Sequence, residues 1–285
     1  LRKRLSNPIE DMVDSDGVST SLVRGLQILR SFRPGEASLG NLELMARTGL
    51  PKATVSRLTY TLASLGYLVY DDLLGRYSLG SATVSLGYTA LSSNAVVHVS
   101  RSLMQALADE TGAAVALGTR DQSEMVYLSN CRSESLVTLR LNVGSRIPLW
   151  NSGMGLAYLV GLSEERRKQL KDRYMPRTRA ERASLSKLLD QALEQYARLG
   201  YVTAVGTWHS YIKAVGVPFQ PIDGSPPLAF SCGGTAEIID DQAIAEKIGP
   251  ALVRMRVAVE EILAGTPRET ASAPNEKKKR VKEKP

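Results

Sequence analysis

Along the first eighty residues, apolar positions recur three and four apart in three short stretches, then give way to two brief strand-like runs. Leu22, Leu26 and Leu29 share one face of a helix that opens at Ser21, a good N-cap, and ends before Pro34-Gly35. Ser38 caps a second helix that carries Leu42, Met45 and Ala46 inward and stops at Gly49. Leu50-Pro51 restarts the chain, and Val55, Leu58, Leu62 and Leu65 mark the buried face of a third helix closed by Gly66. Tyr67–Tyr70 and Arg76–Leu79 then pair as a hairpin across Asp71-Asp72-Leu73-Leu74-Gly75. Helix, turn, helix, strand, turn, strand is the order of a winged helix-turn-helix, a module whose second helix enters the DNA major groove.

The pattern changes beyond residue 80. Val84, Leu86, Tyr88 and Leu91 make residues 81–93 a helix too apolar for a free linker. An amphipathic helix over Val99–Thr111 leads into strands Ala113–Thr119 and Glu124–Ser129. Further strands are expected at Leu136–Leu141, Tyr201–Val205, Ile212–Phe219 and Pro227–Cys232, and helices at Gly153–Val160, Ser163–Asp172, Arg182–Arg198 and Asp240–Leu263. Strands interspersed with helices give an α+β domain on a mostly antiparallel sheet. The expected division is a disordered arm (1–19), a winged module (20–80), a linker helix (81–95), a second domain (96–265) and a disordered basic tail (266–285).

Charge sharpens this division. The formal net charge is +7, of which residues 266–285 carry +4 and residues 22–80 carry +3, so the large second domain is nearly neutral. Basic charge sits at the tail and the winged module, where phosphate attraction would use it. With 43% apolar residues in 285, the chain has ample material for a core. Cys131 and Cys232 are far apart, with no CxxC and no His-rich surroundings, so neither a zinc site nor a disulfide framework is signalled and a reducing cytoplasm fits. No apolar run approaches the roughly 20 residues that span a bilayer, and no signal-peptide core is present at the start.

The exposed face of the third helix offers Lys52, Ala53, Ser56, Arg57 and Tyr60. Lys52, near the helix start, suits a phosphate; Ser56 and Arg57 suit base edges or phosphate. Ala53 and Thr54 are small enough to let the helix approach a thymine methyl. Arg76 in the wing is a candidate for minor-groove or backbone contact.

Several ordered motifs resemble the isocitrate-lyase-regulator (IclR) family of bacterial transcription factors. They are Ser21–Leu29, Ala46–Leu58 and Gly75–Gly80, followed by Asp109-Glu110-Thr111-Gly112, Val126-Tyr127-Leu128, Val143–Leu149 and Gly200-Tyr201. The resemblance runs from about Ser21 to Leu263. It implies a winged helix joined to an effector-binding domain of profilin- or GAF-like α/β fold. It also implies binding to double-stranded promoter DNA as a homodimer or dimer of dimers, and response to a small carboxylate effector. One departure falls in the reader, where Met45 stands at a position that is often Ala in the family.

Carrying the family's effector site onto this chain points first to Trp150, Asn151, Ser152, Gly153 and Met154. Here a loop enters a helix N-terminus, whose free N–H groups and dipole suit a carboxylate. Next come the strand edge from Ala204 to Ala214, and then Ser231 and Cys232. The chain departs from the glyoxylate/pyruvate type of site: Ala204, Val205 and Gly206 replace acidic positions, Ala214 a Cys, and Gly233 a Ser. Both tryptophans, Trp150 and Trp208, fall in these segments, with His209 and Tyr211 close by. Aromatic walls with few polar groups suit a planar ligand, so an aromatic acid is the expected effector class.

An enzyme is disfavoured by the lack of a G-x-S-x-G elbow, an HExxH helix or a phosphate-cradling Gly loop, with only two histidines in the chain. No metal or cofactor is called for. The expected function is a cytoplasmic repressor whose promoter binding answers to the acid; a ligand-dependent activator and a ligand-independent DNA-binding protein are the alternatives. Effector binding would re-space paired winged helices through the 81–93 helix.

Overall fold

The computed structural model describes residues 17–134, 141–176 and 178–265. The expected basic tail, most of the N-terminal arm and nearly all of the Leu136–Leu141 strand lie outside them.

The winged module contains α1 (Thr20–Arg30), β1 (Leu39–Gly40), α2 (Asn41–Thr48), α3 (Lys52–Ser64), β2 (Leu68–Asp71) and β3 (Arg76–Leu79). The strands form an antiparallel sheet in the order β1-β3-β2. Its core is Ile28, Leu39, Leu44, Val55, Leu68 and Tyr77. Two faces differ from the periodicity reading. In α1 the inward residues are Gly25 and Ile28, while Leu22 and Leu26 are 62% and 50% exposed. In α2, Leu44 is inward and Leu42 is 79% exposed. The second difference has a local cause: Leu39-Gly40 pairs with Tyr77 and Arg76 as a strand, which delays the helix to Asn41. Gly40 N–H then donates to the Glu43 carboxylate at 2.8 Å, and Gly49, at φ 71°, ends the helix. Leu65 lies past the end of α3 and is exposed, whereas Thr59 is buried, its hydroxyl bonded to Val55 O at 2.9 Å.

Helix α4 (Ser81–Ser92) buries none of its residues; Val84, Leu86 and Tyr88 are 70%, 58% and 72% exposed. Beyond it lie α5 (Ala95–Thr111), β4 (Ala114–Asp121), β5 (Glu124–Cys131), β6 (Arg146–Pro148), α6 (Gly153–Val160), α7 (Glu164–Tyr174), α8 (Arg179–Leu199), β7 (Val202–Val205), β8 (Ile212–Phe219) and β9 (Leu228–Thr235). A short turn (Asp241–Ala243) and a π-helical segment (Ile244–Ile248) then lead into α9 (Gly249–Leu263). The single helix expected over Asp240–Leu263 is broken here because Pro250 has no N–H to continue the α-helical ladder.

The second sheet runs β6-β5-β4-β9-β8-β7, antiparallel throughout. Its strands alternate between two cores. Val115, Leu117, Val215, Val217, Phe230 and Cys232 face α5 and α9, with Met104, Leu107, Leu252 and Met255. Ala116, Met125 and Ala229 face α6 and α8, with Leu156, Leu159 and Leu189. Helix α6 is buried along its full length, so both sides of the sheet are covered. Strand β6 escaped the sequence reading because three residues ending in proline give no alternation; only its pairing with β5 defines it.

Candidate functional site

On the winged module, α3 turns Val55 and Thr59 into the core and leaves Lys52, Ala53, Ser56, Arg57 and Tyr60 on the exposed side. Thr54 is only half-buried, at the edge of that face. Among the described residues neither Lys52 nor Arg57 is paired with a carboxylate. Both cations are therefore available to an outside anion. Arg76 is placed differently. Its guanidinium donates to Ser38 Oγ at 2.9 Å and Ser38 O at 2.8 Å, and lies 2.8 Å from Glu43. It ties β3 to the segment before β1 and to the first turn of α2 through Nε and Nη2, and stays about a third exposed. The wing tip instead presents Leu73 and Leu74, with Asp71 accepting their backbone N–H groups at 2.9 and 3.0 Å.

In the second domain a cavity opens between the sheet and the start of α6. The cavity volume is only about 30 Å³, so the space is a narrow slot. Strand register builds its floor: Ala204 pairs with Ala214, Ala214 with Gly233, and Gly233 with Ala114. All four line the cavity, giving a flat row of small residues across β7, β8, β9 and β4. The departures at Ala204, Ala214 and Gly233 noted in the sequence are thus residues of one floor.

At one end stands α6. Ser152 Oγ accepts from Gly155 N–H at 3.1 Å and donates to Pro148 O at 2.5 Å. Gly153 and Met154 line the cavity, and their N–H groups have no acceptor within the helix. The helix sits close to the sheet because Gly216 has no side chain; a Cβ there would lie 2.4 Å from Gly153 O. Tyr127, Ser231 and Asn130 also line the cavity; Ser231 pairs across the sheet with Gly216, and Tyr127 with Gly118, the two glycines against which the start of α6 packs. Burial pushes the Tyr127 hydroxyl up to about 12, against a hydrogen bond from Ser231 and the nearby Arg132 charge. Asn130 donates to Leu141 O at 2.5 Å, while its buried Oδ1 has no partner.

Trp208 forms part of the wall, held by reciprocal bonds between Asn151 Nδ2 and Thr207 O (3.0 Å) and between Thr207 Oγ1 and Asn151 O (2.6 Å). Of the residues singled out from the sequence, Asn151, Ser152, Gly153, Met154, Trp208 and Ser231 meet at the slot. The rest lie outside its lining. Trp150 is buried in the adjoining core, while the exposed His209 tilts against Trp208 at 4.5 Å between ring centroids and stacks on the exposed Tyr211 at 5.6 Å. Cys232 faces the opposite side of the sheet, near Thr111, and burial raises its thiol to about 11. Reading Ser231 and Cys232 together overlooked strand alternation, which sends neighbours to opposite faces. Tyr127 and Asn130 were missed as site residues, although Tyr127 lies within a quoted motif. Every lining side chain is uncharged, and no group of three or more metal-type ligands occurs among the described residues.

A winged helix-turn-helix followed by a six-stranded antiparallel sheet with a narrow slot is the layout of a DNA-binding transcriptional regulator. Residues 21–72 match the IclR helix-turn-helix domain, and residues 88–255 match the bacterial transcriptional regulator IclR C-terminal domain. The chain belongs to the IclR family and is a DNA-binding transcriptional regulator rather than an enzyme. It is 35% identical over 266 residues to the HTH-type transcriptional regulator TsaQ1/TsaQ2 of Comamonas testosteroni, covering 90% of this chain and 92% of that one. An IclR family transcriptional regulator from Brucella abortus superimposes with a TM-score of 0.80 at 38% identity, over 91% of this chain and 99% of that one. An IclR homologue from Microbacterium hydrocarbonoxydans, solved in complex with 4-hydroxybenzoate, shares the fold at 22% identity and a TM-score of 0.66, over 86% and 99% of the two chains. No described helix is long and apolar enough to cross a membrane.

Proposed function

We propose that this regulator is a cytoplasmic repressor released by, or recruited by, a planar aromatic carboxylate held in the α6 slot. The observation that carries the ligand class is the four-strand row Ala204–Ala214–Gly233–Ala114, which gives a ring a flat floor under Trp208. With no cation in the lining, the carboxylate goes to the Gly153 and Met154 N–H groups at the α6 N-terminus. A ligand hydroxyl meets the other polar groups of the lining, Tyr127, Ser231 and the unpartnered Asn130 Oδ1. The fold relative that carries 4-hydroxybenzoate supports this class.

DNA is read by Lys52, Ala53, Thr54, Ser56, Arg57 and Tyr60 of α3, and Arg76 braces the wing. The exposed apolar residues of α4 pair two copies, so that two α3 helices meet two half-sites. The test is a thermal-shift series with benzoate, 4-hydroxybenzoate, glyoxylate and pyruvate. Stabilisation by the aromatic acids alone fits the reading, because a ligand that binds only the folded chain raises its melting temperature. Stabilisation by glyoxylate or pyruvate alone overturns it.

A further inference from the structure

The loop that forms the slot is tied to the winged module through side chains not yet assigned a role. Asp121 and Glu124 pair across the β4–β5 turn, and Arg146 of β6 reaches both: Nη2 lies 2.5 Å from Asp121 Oδ2 and Nη1 3.0 Å from Glu124 Oε2. The same Asp121 oxygen lies 2.7 Å from Nη2 of Arg30, the last residue of α1. The next carbonyl, that of Ser31, accepts from Arg47 Nη1 of α2 at 2.7 Å. In the other direction, residues 147–151 separate Arg146 from Ser152, the N-cap of α6. Ser152 is bonded back to Pro148 O, and Leu149 N–H donates to Ser123 O in the β4–β5 turn at 3.2 Å. Burial would push the Asp121 carboxyl up, but the bonds from Arg30 and Arg146 outweigh it and hold it below the ordinary aspartate range.

We propose that the shared Asp121 carboxylate, clamped between Arg30 of the winged module and Arg146 of β6, carries slot occupancy to the DNA reader. The inference rests on the slot being the effector site. One oxygen serving two guanidiniums is a competition: movement of β6 toward or away from Asp121 changes its hold on Arg30. Half-exposed ion pairs add little to stability, so the work of this one lies in the difference between liganded and empty states. It gives a route from α6 to α2 beside the α4 helix.

Hydrogen exchange on the full chain tests it with wild type, Arg30→Ala and Arg30→Lys, each empty and with 4-hydroxybenzoate. Without ligand, Arg30→Ala is expected to speed exchange at least about threefold at residues 28–32 and also at 147–151, with Arg30→Lys close to wild type. Exchange at 147–151 unchanged in Arg30→Ala overturns the proposal whatever the acid does. With acid, protection at 153–156 is expected in every protein, and at 28–32 in wild type and Arg30→Lys only. Equal protection at 28–32 in Arg30→Ala also overturns it. Absence of protection at 153–156 in wild type refutes the assignment of the acid to the slot, while the ligand-free comparison still decides whether the clamp couples the two domains.

Discussion

The seating of α6 on the sheet makes the substitution Gly216→Ala a sharp test of the slot. A Cβ on residue 216 would stand 2.4 Å from Gly153 O and 2.7 Å from Ala157 Cβ. Gly153 O is backbone at the first turn of α6, so no rotamer change relieves the clash; the helix start must retreat until the contact nears 3.4 Å, where ordinary van der Waals contact begins. Overpacking of this kind costs about 1–3 kcal/mol. For a domain of this size each kcal/mol lowers the melting temperature by about 2–4 °C. The same retreat carries the Gly153 and Met154 N–H groups away from the floor at Ala214. We therefore expect aromatic-acid affinity, read by fluorescence of Trp208 and Trp150, to fall at least about tenfold, equivalent to 1.4 kcal/mol. Gly25→Ala is the control: its Cβ meets nothing within 4 Å and sits inside α1, so it should stabilise by about 0.5–1 kcal/mol. A melting temperature for Gly216→Ala within about 1 °C of wild type, well under the expected shift, with acid affinity intact, would refute the packing argument.

Lys52→Ala and Arg57→Ala should each weaken DNA binding and, where the lost contact is to phosphate, flatten the dependence of log affinity on log salt by about 1. Arg76→Ala should leave that slope unchanged and lower the stability of the winged module, read by its melting transition. The Tyr127 hydroxyl, raised to about 12 from its ordinary 10, favours the fold fully below pH 10 and loses that contribution as pH rises through 12. Melting temperature measured against alkaline pH should accordingly fall less steeply for Tyr127→Phe. Tyr88→Glu, on the exposed face of α4, should shift sedimentation toward the monomer.

The winged module was legible because local signals suffice for it: caps, Gly49, Pro51 and the β2–β3 hairpin all act within a few residues. What failed there was facing. Leu65 falls one residue past the end of α3, Leu42 sits on the outward face of an α2 that starts only at Asn41, and β1 cannot be seen without its partner Tyr77. In the second domain, the start of α6 was readable from Ser152 and the apolar run after it. The floor was not, because Ala114, Ala204, Ala214 and Gly233 come from four strands and acquire meaning only through register. Alternation likewise separates Ser231, in the slot, from Cys232, behind the sheet. The Arg30–Asp121 contact spans 91 residues and leaves no trace in local pattern.

The most direct measurement is anisotropy of labelled DNA, carrying the promoter the protein controls, titrated with protein in the presence and absence of saturating 4-hydroxybenzoate. The account predicts that the acid changes DNA affinity by at least about fivefold, the lower range of allosteric coupling, and that Gly216→Ala blunts this response at the same acid concentration. An acid that stabilises the protein yet leaves DNA affinity unaltered would contradict ligand gating and leave a DNA-binding regulator whose slot serves another purpose.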